Sequence, residues 1–247
     1  MSMPPSNAVP HDGKEPSLEP LSLFEGPLSN RVYLSIKRAI LSLAFRPGEA
    51  LRKQEICAAL GVSRSPVSDA LTRLAGEGLV RIVPQAGSYV ARFSMAEIRE
   101  GAFLREALEL AAVEYLAPRI TDAEIARLNR IVVVQQALLD SGDREGFYEQ
   151  DAAMHAMMMG FTGFRRLASL AETAWVQVDR ARRLVLPAPG RVEATLDEHR
   201  AIVAAIAARD PEAARAALRT HLRQLLTYLE PLEREVPELF DSESPTG

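Results

Sequence analysis

RPGEALRKQEICAALGVSRSPVSDALTRLAGEGLVRIVPQAGSYV, residues 46–90, decides how the first part of the chain folds. Arg46-Pro47-Gly48 breaks a helical pattern that begins at Asn30 and repeats through Val32, Ile36, Ile40 and Leu43. A short helix follows, with Ile56, Ala59 and Leu60 on one face and Gly61 as a stop signal. In SRSPVSDALTRLAGEG, Ser65 is placed as the N-cap and Pro66 at the first helical position, where its missing N–H costs nothing. Val67, Leu71 and Leu74 form the buried stripe, which ends near Gly76 to Gly78. LVRIV and SYVARF then alternate like strands around the turn Pro84-Gln85-Ala86-Gly87. Helix, helix, turn, helix and hairpin, in that order, predict a winged helix-turn-helix over residues 28–93.

Beyond it every pattern is helical, so the fold class is mainly α. Ser94 to Glu97 reads as a capping box that opens the second domain. Leu104, Leu108, Ala111, Ala112 and Tyr115 outline an apolar face that stops before Pro118. Thr121 to Glu124 and Thr195 to Glu198 read as two further capping boxes, and Asp210-Pro211 as an N-cap followed by a helix-starting proline. Helices are expected over roughly 143–160, 164–185, 195–209 and 211–229, giving an all-helical bundle of about six helices across residues 94–232. Residues 1–27 carry six prolines and few large apolar side chains, so they read as a disordered tail, and residues 233–247, ending in DSESPTG, as a C-terminal tail.

With 247 residues, 47% hydrophobic and 25% charged, the chain has the composition of a globular protein. Collagen-like, disulfide-rich and wholly disordered classes are excluded, no apolar run is long enough to span a membrane, and the N-terminus is no secretory signal. The lone Cys57 cannot form an internal disulfide. A cytoplasmic location is expected. Residues 30–92 hold ten Lys/Arg against four Asp/Glu, whereas residues 93–247 hold 18 against 25. A basic segment joined to an acidic one predicts that only the first meets a polyanion.

Three of the four histidines, His155, His199 and His221, fall on otherwise apolar helix faces of the acidic segment. Asp151 precedes His155 by four residues and so projects from the same side of its helix. One carboxylate and three imidazoles converging in a bundle core make a site for a divalent metal, with Zn²⁺ favoured and Ni²⁺ or Mn²⁺ as alternatives. Each histidine taken alone reads rather as a satisfied core or boundary residue; it is the three together with Asp151 that point to a metal. Met154, Met157, Met158 and Met159 read as core packing. Arg105 interrupts an apolar face: it either grips a ligand carboxylate or pairs with Glu109 one turn on. In the basic segment, Arg64 and Ser65 stand at the start of the reading helix, positioned for the major groove, with Ser63, Ser68 and Thr72 as base or phosphate contacts. Arg52, Lys53 and Arg73 read as phosphate contacts, and Gln85 and Ser88 as hairpin residues that reach the minor groove or backbone.

The stretch at 46–90, through its PG turn, GVSRSPV core and EGLV exit into the hairpin, resembles the DNA-binding domain of GntR-type bacterial transcription regulators. FLREALELAA, DAAMH and DEHRAIVAAIAARDPEAARAALRTHL are similar to the FCD-type effector domain of the FadR subgroup. The resemblance covers residues 28 to about 232. It implies that Asp151, His155, His199 and His221 are metal ligands, that Arg105 faces an effector carboxylate and that Arg64 contacts the operator. It also implies a homodimer on a double-stranded, pseudo-palindromic operator, released when a small organic acid binds. Ser68, Gln54, Ala86-Gly87 and Phe164 depart from residues common in relatives, so neither operator sequence nor effector carries over. The function expected is a ligand-responsive regulator, a repressor, that is not an enzyme. Two alternatives stay open. One is a DNA-binding dimer with a structural metal and no effector; the other is a metal-dependent hydrolase, against which no Glu or Asp stands in the sequence at an obvious position to act as a base behind the ligands.

Overall fold

The structure is a computed structural model that describes residues 18–167, 170 and 175–241. The chain divides into two compact units. One comprises residues up to Met95 together with those from Leu232 onward, the other Ala96 to Pro231.

In the first unit, α1 (Leu28–Leu41), α2 (Lys53–Leu60) and α3 (Arg64–Gly76) precede a hairpin of β1 (Val80–Val83) and β2 (Gly87–Val90). The strands are antiparallel, with Val80 opposite Val90 and Val83 opposite Gly87. Val32, Ile36 and Ile40 of α1, Ile56 of α2, and Val67, Leu71 and Leu74 of α3 make the core, all fully or nearly fully buried. Gly61 closes α2 at φ 64°, a left-handed conformation that glycine adopts without penalty. The helix start differs from expectation. Ser63, not Ser65, is the N-cap of α3, and its side chain makes no capping bond, which puts Pro66 at the third helical position. The N–H there has no intrahelical partner either, so proline is tolerated and the helix begins two residues earlier.

Both expected tails prove partly ordered. Leu21–Leu23 form a 3₁₀ turn, Ser35 Oγ donates to the Glu19 carbonyl at 2.8 Å, and Arg38 pairs with Glu19. At the other end, Phe93 N–H donates to the Leu239 carbonyl at 2.9 Å and Asp241 N–H to the Phe93 carbonyl at 2.8 Å. The rings of Phe93 and Phe240 pack 5.7 Å apart and both are buried. Backbone pairing and a buried aromatic contact hold a segment whose composition alone reads as loose. The first 17 residues and the last six lie outside the described residues.

The second unit has six α-helices among the described residues: α4 (Met95–Leu116), α5 (Asp122–Ser141), α6 (Arg144–Phe161), α7 (Val176–Val185), α8 (Arg191–Ala207) and α9 (Pro211–Glu235). Of the helix expected over 164–185, residues 168, 169 and 171–174 lie outside the described residues. Leu110, Val113, Leu128, Ile131, Met154, Met158, Ile202, Val203, Ile206 and Leu218 fill one core. The Thr121–Glu124 capping box is present, and Asp210 caps α9 by accepting from Ala213 N–H at 3.0 Å. The Thr195–Glu198 box is not. The helix α8 starts at Arg191, behind Gly190, and Thr195 Oγ1 donates back to the Arg191 carbonyl inside the helix. On α4 the inward face is also rotated from expectation. Leu104 and Tyr115 stay more than a third exposed and Phe103 is 73% exposed, while Arg105 and Glu109 are buried. A charge-neutral Arg–Glu pair tolerates burial that neither partner would tolerate alone.

Candidate functional site

Helix α6 places Asp151 and His155 one turn apart on its inner face, α8 brings His199 and α9 brings His221. One ligand atom from each lies within 4.8 Å of the others, and all four residues are buried. His155 Nε2 stands 3.1 Å from His221 Nε2, and His199 Nε2 stands 3.0 Å from Asp151 Oδ1. The sequence expectation of a convergent Asp/His₃ cluster is met geometrically.

The opposite edge of each ring decides what these atoms can do. His155 Nδ1 meets Glu109 Oε2 at 2.6 Å and His221 Nδ1 meets Glu198 Oε2 at 2.7 Å. A carboxylate only accepts, so both Nδ1 atoms carry the proton and both Nε2 atoms present lone pairs. His199 Nδ1 faces Gln135 Oε1 at 2.9 Å, which turns its Nε2 inward as an acceptor too. Protonation is a poor remedy. Burial, and then the neighbouring imidazoles, hold His199 and His221 well below the usual imidazole range. Three lone pairs and a carboxylate oxygen thus converge with His199 Nε2 and Asp151 Oδ1 left without a hydrogen-bond donor. Such a cradle fits a divalent cation, and the N/O donor set suits Zn²⁺, Ni²⁺ or Mn²⁺.

Glu109, Gln135 and Glu198 are the site residues that sequence reasoning missed. They orient the rings in the manner typical of metal-bound histidines. Glu109 was visible only as a partner for Arg105, and Glu198 only as part of a capping box; Gln135, 64 residues from His199, gives no local signal. The expectation that no carboxylate stands behind the cluster is therefore corrected. Neither carboxylate is available as a base, however, because Glu109 binds Arg105 Nε at 2.6 Å and Glu198 binds Arg191 through both oxygens at 2.7 and 2.6 Å. Arg105 and His155 hold Glu109 well below the usual carboxylate range against the opposing effect of burial.

Beside the cluster lies a chamber of about 30 Å³, lined by Arg105, Arg182, Arg191 and His221 with apolar walls from α7 and α9. Arg105 is 4% exposed, pairs with Glu109 and lines the chamber. Arg182 reaches the Asp151 carboxylate, and burial lowers its pKa to about 9. Neither Arg182 nor Arg191 stood out in the sequence.

In the first unit, Arg52, Lys53, Ser63, Arg64, Ser65, Thr72, Arg73 and Gln85 are exposed and Ser68 is half-buried. Arg52 pairs with Glu55, Thr72 Oγ1 donates to the Ser68 carbonyl, and Arg73 lies over the Tyr33 ring, 3.8 Å from its centroid. Ser88 departs from expectation. It is 7% exposed, pointing to the inner side of the hairpin, because alternate residues of a strand face opposite ways and Val90 shares its side.

Comparison with known proteins accounts for both units. Residues 28–90 match the family described as bacterial regulatory proteins, gntR family, and residues 100–224 match the FCD domain. The chain belongs to the GntR family. It is 36% identical to a Streptomyces ambofaciens HTH-type transcriptional regulator in an unstable DNA locus, over 87% of this chain and 90% of that one. It is 29% identical to the HTH-type transcriptional repressor RspR of Escherichia coli K12, covering 88% and 95%. Among solved structures, a GntR regulator from Rhodococcus sp. RHA1 superposes with a TM-score of 0.72 at 26% identity, over 82% of this chain and 97% of that one. McbR/YncC of E. coli shares the fold, with a TM-score of 0.73 at 22% identity, over 84% and 99%. This GntR-family member is a DNA-binding transcriptional regulator with an FCD domain, which removes the hydrolase reading.

Proposed function

We propose that this GntR regulator is a repressor whose FCD domain senses a small carboxylate through a bound divalent metal. The observation that carries the reading is the convergence of four acceptor atoms, their rings oriented from behind, beside a chamber walled by three guanidinium groups. Asp151, His155, His199 and His221 would hold the ion, which when bound supplies a Lewis-acid contact for a ligand oxygen. Arg105, Arg182 and Arg191 supply charge-assisted hydrogen bonds to the same ligand.

On the DNA side, Ser63, Arg64 and Ser65 open α3 toward the major groove, with Ser68 and Thr72 further along it. Arg52, Lys53 and Arg73 meet phosphates, and Gln85 at the hairpin tip meets the minor groove or backbone. Two copies set their α3 helices about 34 Å apart on a pseudo-palindrome. The outward apolar residues of α4, Phe103 foremost, are surface through which the second copy associates. The ligand shifts DNA affinity only by its differential affinity for the bound and released arrangements. The regulator acts in the cytoplasm, where its DNA is.

A thermal-shift series tests the sensing reading. Chelator-stripped protein should melt higher on addition of Zn²⁺, and higher again with one of a panel of carboxylates only when Zn²⁺ is present. A ligand at a hundredfold excess over Kd adds about 2.7 kcal/mol. A melting point that moves with neither addition refutes it.

A further inference from the structure

Buried arginines are rare, and two of them, Arg105 and Arg191, face one small chamber here together with the half-buried Arg182. Each is joined to a different member of the metal cradle. Arg105 binds Glu109, which holds His155; Arg191 binds Glu198, which holds His221; Arg182 reaches Asp151 itself. Three guanidinium groups therefore face three carboxylates, and this inner set is neutral while the imidazoles are neutral. Beside it Arg183 is paired to Glu145, and Arg182 also lies near Asp179.

We infer that the ligand of this chamber is a short dianion, an acid with two carboxylate groups, and that Arg182 and Arg191 join Arg105 in selecting it. The inference rests on the metal-and-carboxylate reading above. A divalent cation held by three neutral imidazoles and one carboxylate already balanced by Arg182 raises the buried set from neutral to two positive charges. Buried charge without a partner is costly in a low-dielectric interior, so the set attracts an anion of matching charge. A monocarboxylate cancels half of the excess; a dicarboxylate cancels all of it. One carboxylate is placed at the metal edge marked by His221, and the other among guanidinium groups whose planar forks match its geometry. The acid must also be short. The chamber is small, about 30 Å³, and its far walls are the apolar Val185, Leu186, Leu222 and Leu225. A long polar chain has no partners there.

Matched pairs of acids decide the matter: propionate against malonate, and butyrate against succinate, titrated calorimetrically into the full chain stripped and reloaded with Zn²⁺. The dianion of each pair should bind at least about tenfold tighter than its monoanion. The gap should vanish in the metal-free protein, where the set is already neutral. In Arg182→Gln and Arg191→Gln, checked for metal content by atomic absorption, the gap should narrow to about threefold or less. Equal binding of both members of each pair by the reloaded wild type overturns the dianion and leaves the carboxylate-sensor reading standing. Absence of binding by every acid overturns that reading as well. A gap that persists without metal removes the charge-balance argument, and one that persists in both variants removes Arg182 and Arg191 from selection. The wild-type titrations settle the ligand class even if a variant loses its metal.

Discussion

Replacing Glu198 with Gln separates two roles that one residue could have. As the third residue of a capping box it would stabilise the start of a helix and nothing else. In the structure it lies in the second turn of α8, where Oε2 meets His221 Nδ1 at 2.7 Å and both oxygens bind Arg191. An amide keeps the size but removes the charge that raises the basicity of the ring and balances Arg191. Loss of such an outer partner costs about 10- to 100-fold in metal affinity, or roughly 1.4–2.7 kcal/mol. At saturating Zn²⁺ the same free energy is subtracted from the stabilisation the ion confers. For a chain of this size, 1 kcal/mol corresponds to about 2–4 °C in melting temperature. The rise on adding Zn²⁺ should therefore be smaller by roughly 3–10 °C in the variant. Melting curves of both proteins with and without Zn²⁺, and Kd from competition with a chelator, measure it. A capping residue would lower both curves together and leave the Zn²⁺ increment alone. An unchanged increment, with Kd within about twofold of wild type, would refute the outer-partner role.

Arg64→Ala, at an exposed position opening α3, should cost about 1–3 kcal/mol on a selected operator while the melting curve stays put; fluorescence anisotropy reads it, and unaltered binding removes Arg64 from the contact set. In metal-free protein His199 and His221 have folded pKa values depressed below the unfolded value of about 6.5, so the unfolded chain binds the extra protons. Stability is then full above about pH 6.5 and falls below it by up to about 1.4 kcal/mol per pH unit for each ring. Urea midpoints in chelator at pH 7.5 and 5.5 check this, and equal midpoints contradict it. Phe240→Ala removes a buried ring packed on Phe93 and should destabilise the first unit by about 3 kcal/mol; a loss under about 0.5 kcal/mol would mean the C-terminal segment is dispensable. Phe103→Glu, changing a side chain that is 73% exposed, should convert dimer to monomer in light scattering without lowering helicity; a dimer that survives places the interface elsewhere.

What was legible in the amino-acid sequence was local or periodic. The winged helix-turn-helix can be read from residues 46–90 because glycine and proline mark backbone conformations within a few residues, and apolar spacing marks one face of each helix. The four converging residues, Asp151, His155, His199 and His221, were legible because charged and imidazole groups interrupt those faces. The partners behind the rings were not legible. Glu109, Gln135 and Glu198 lie 46, 64 and 23 residues from the imidazoles they hold, and only the packing of α4, α5 and α8 brings them there. The same packing turned Leu104 and Tyr115 outward and Arg105 inward, because a neutral Arg–Glu pair can be buried and hydrophobic spacing cannot reveal which side of a helix will meet it. The ordering of residues 236–241 was decided in tertiary structure too, since its hydrogen bonds reach back to Phe93, far beyond the range of any local signal.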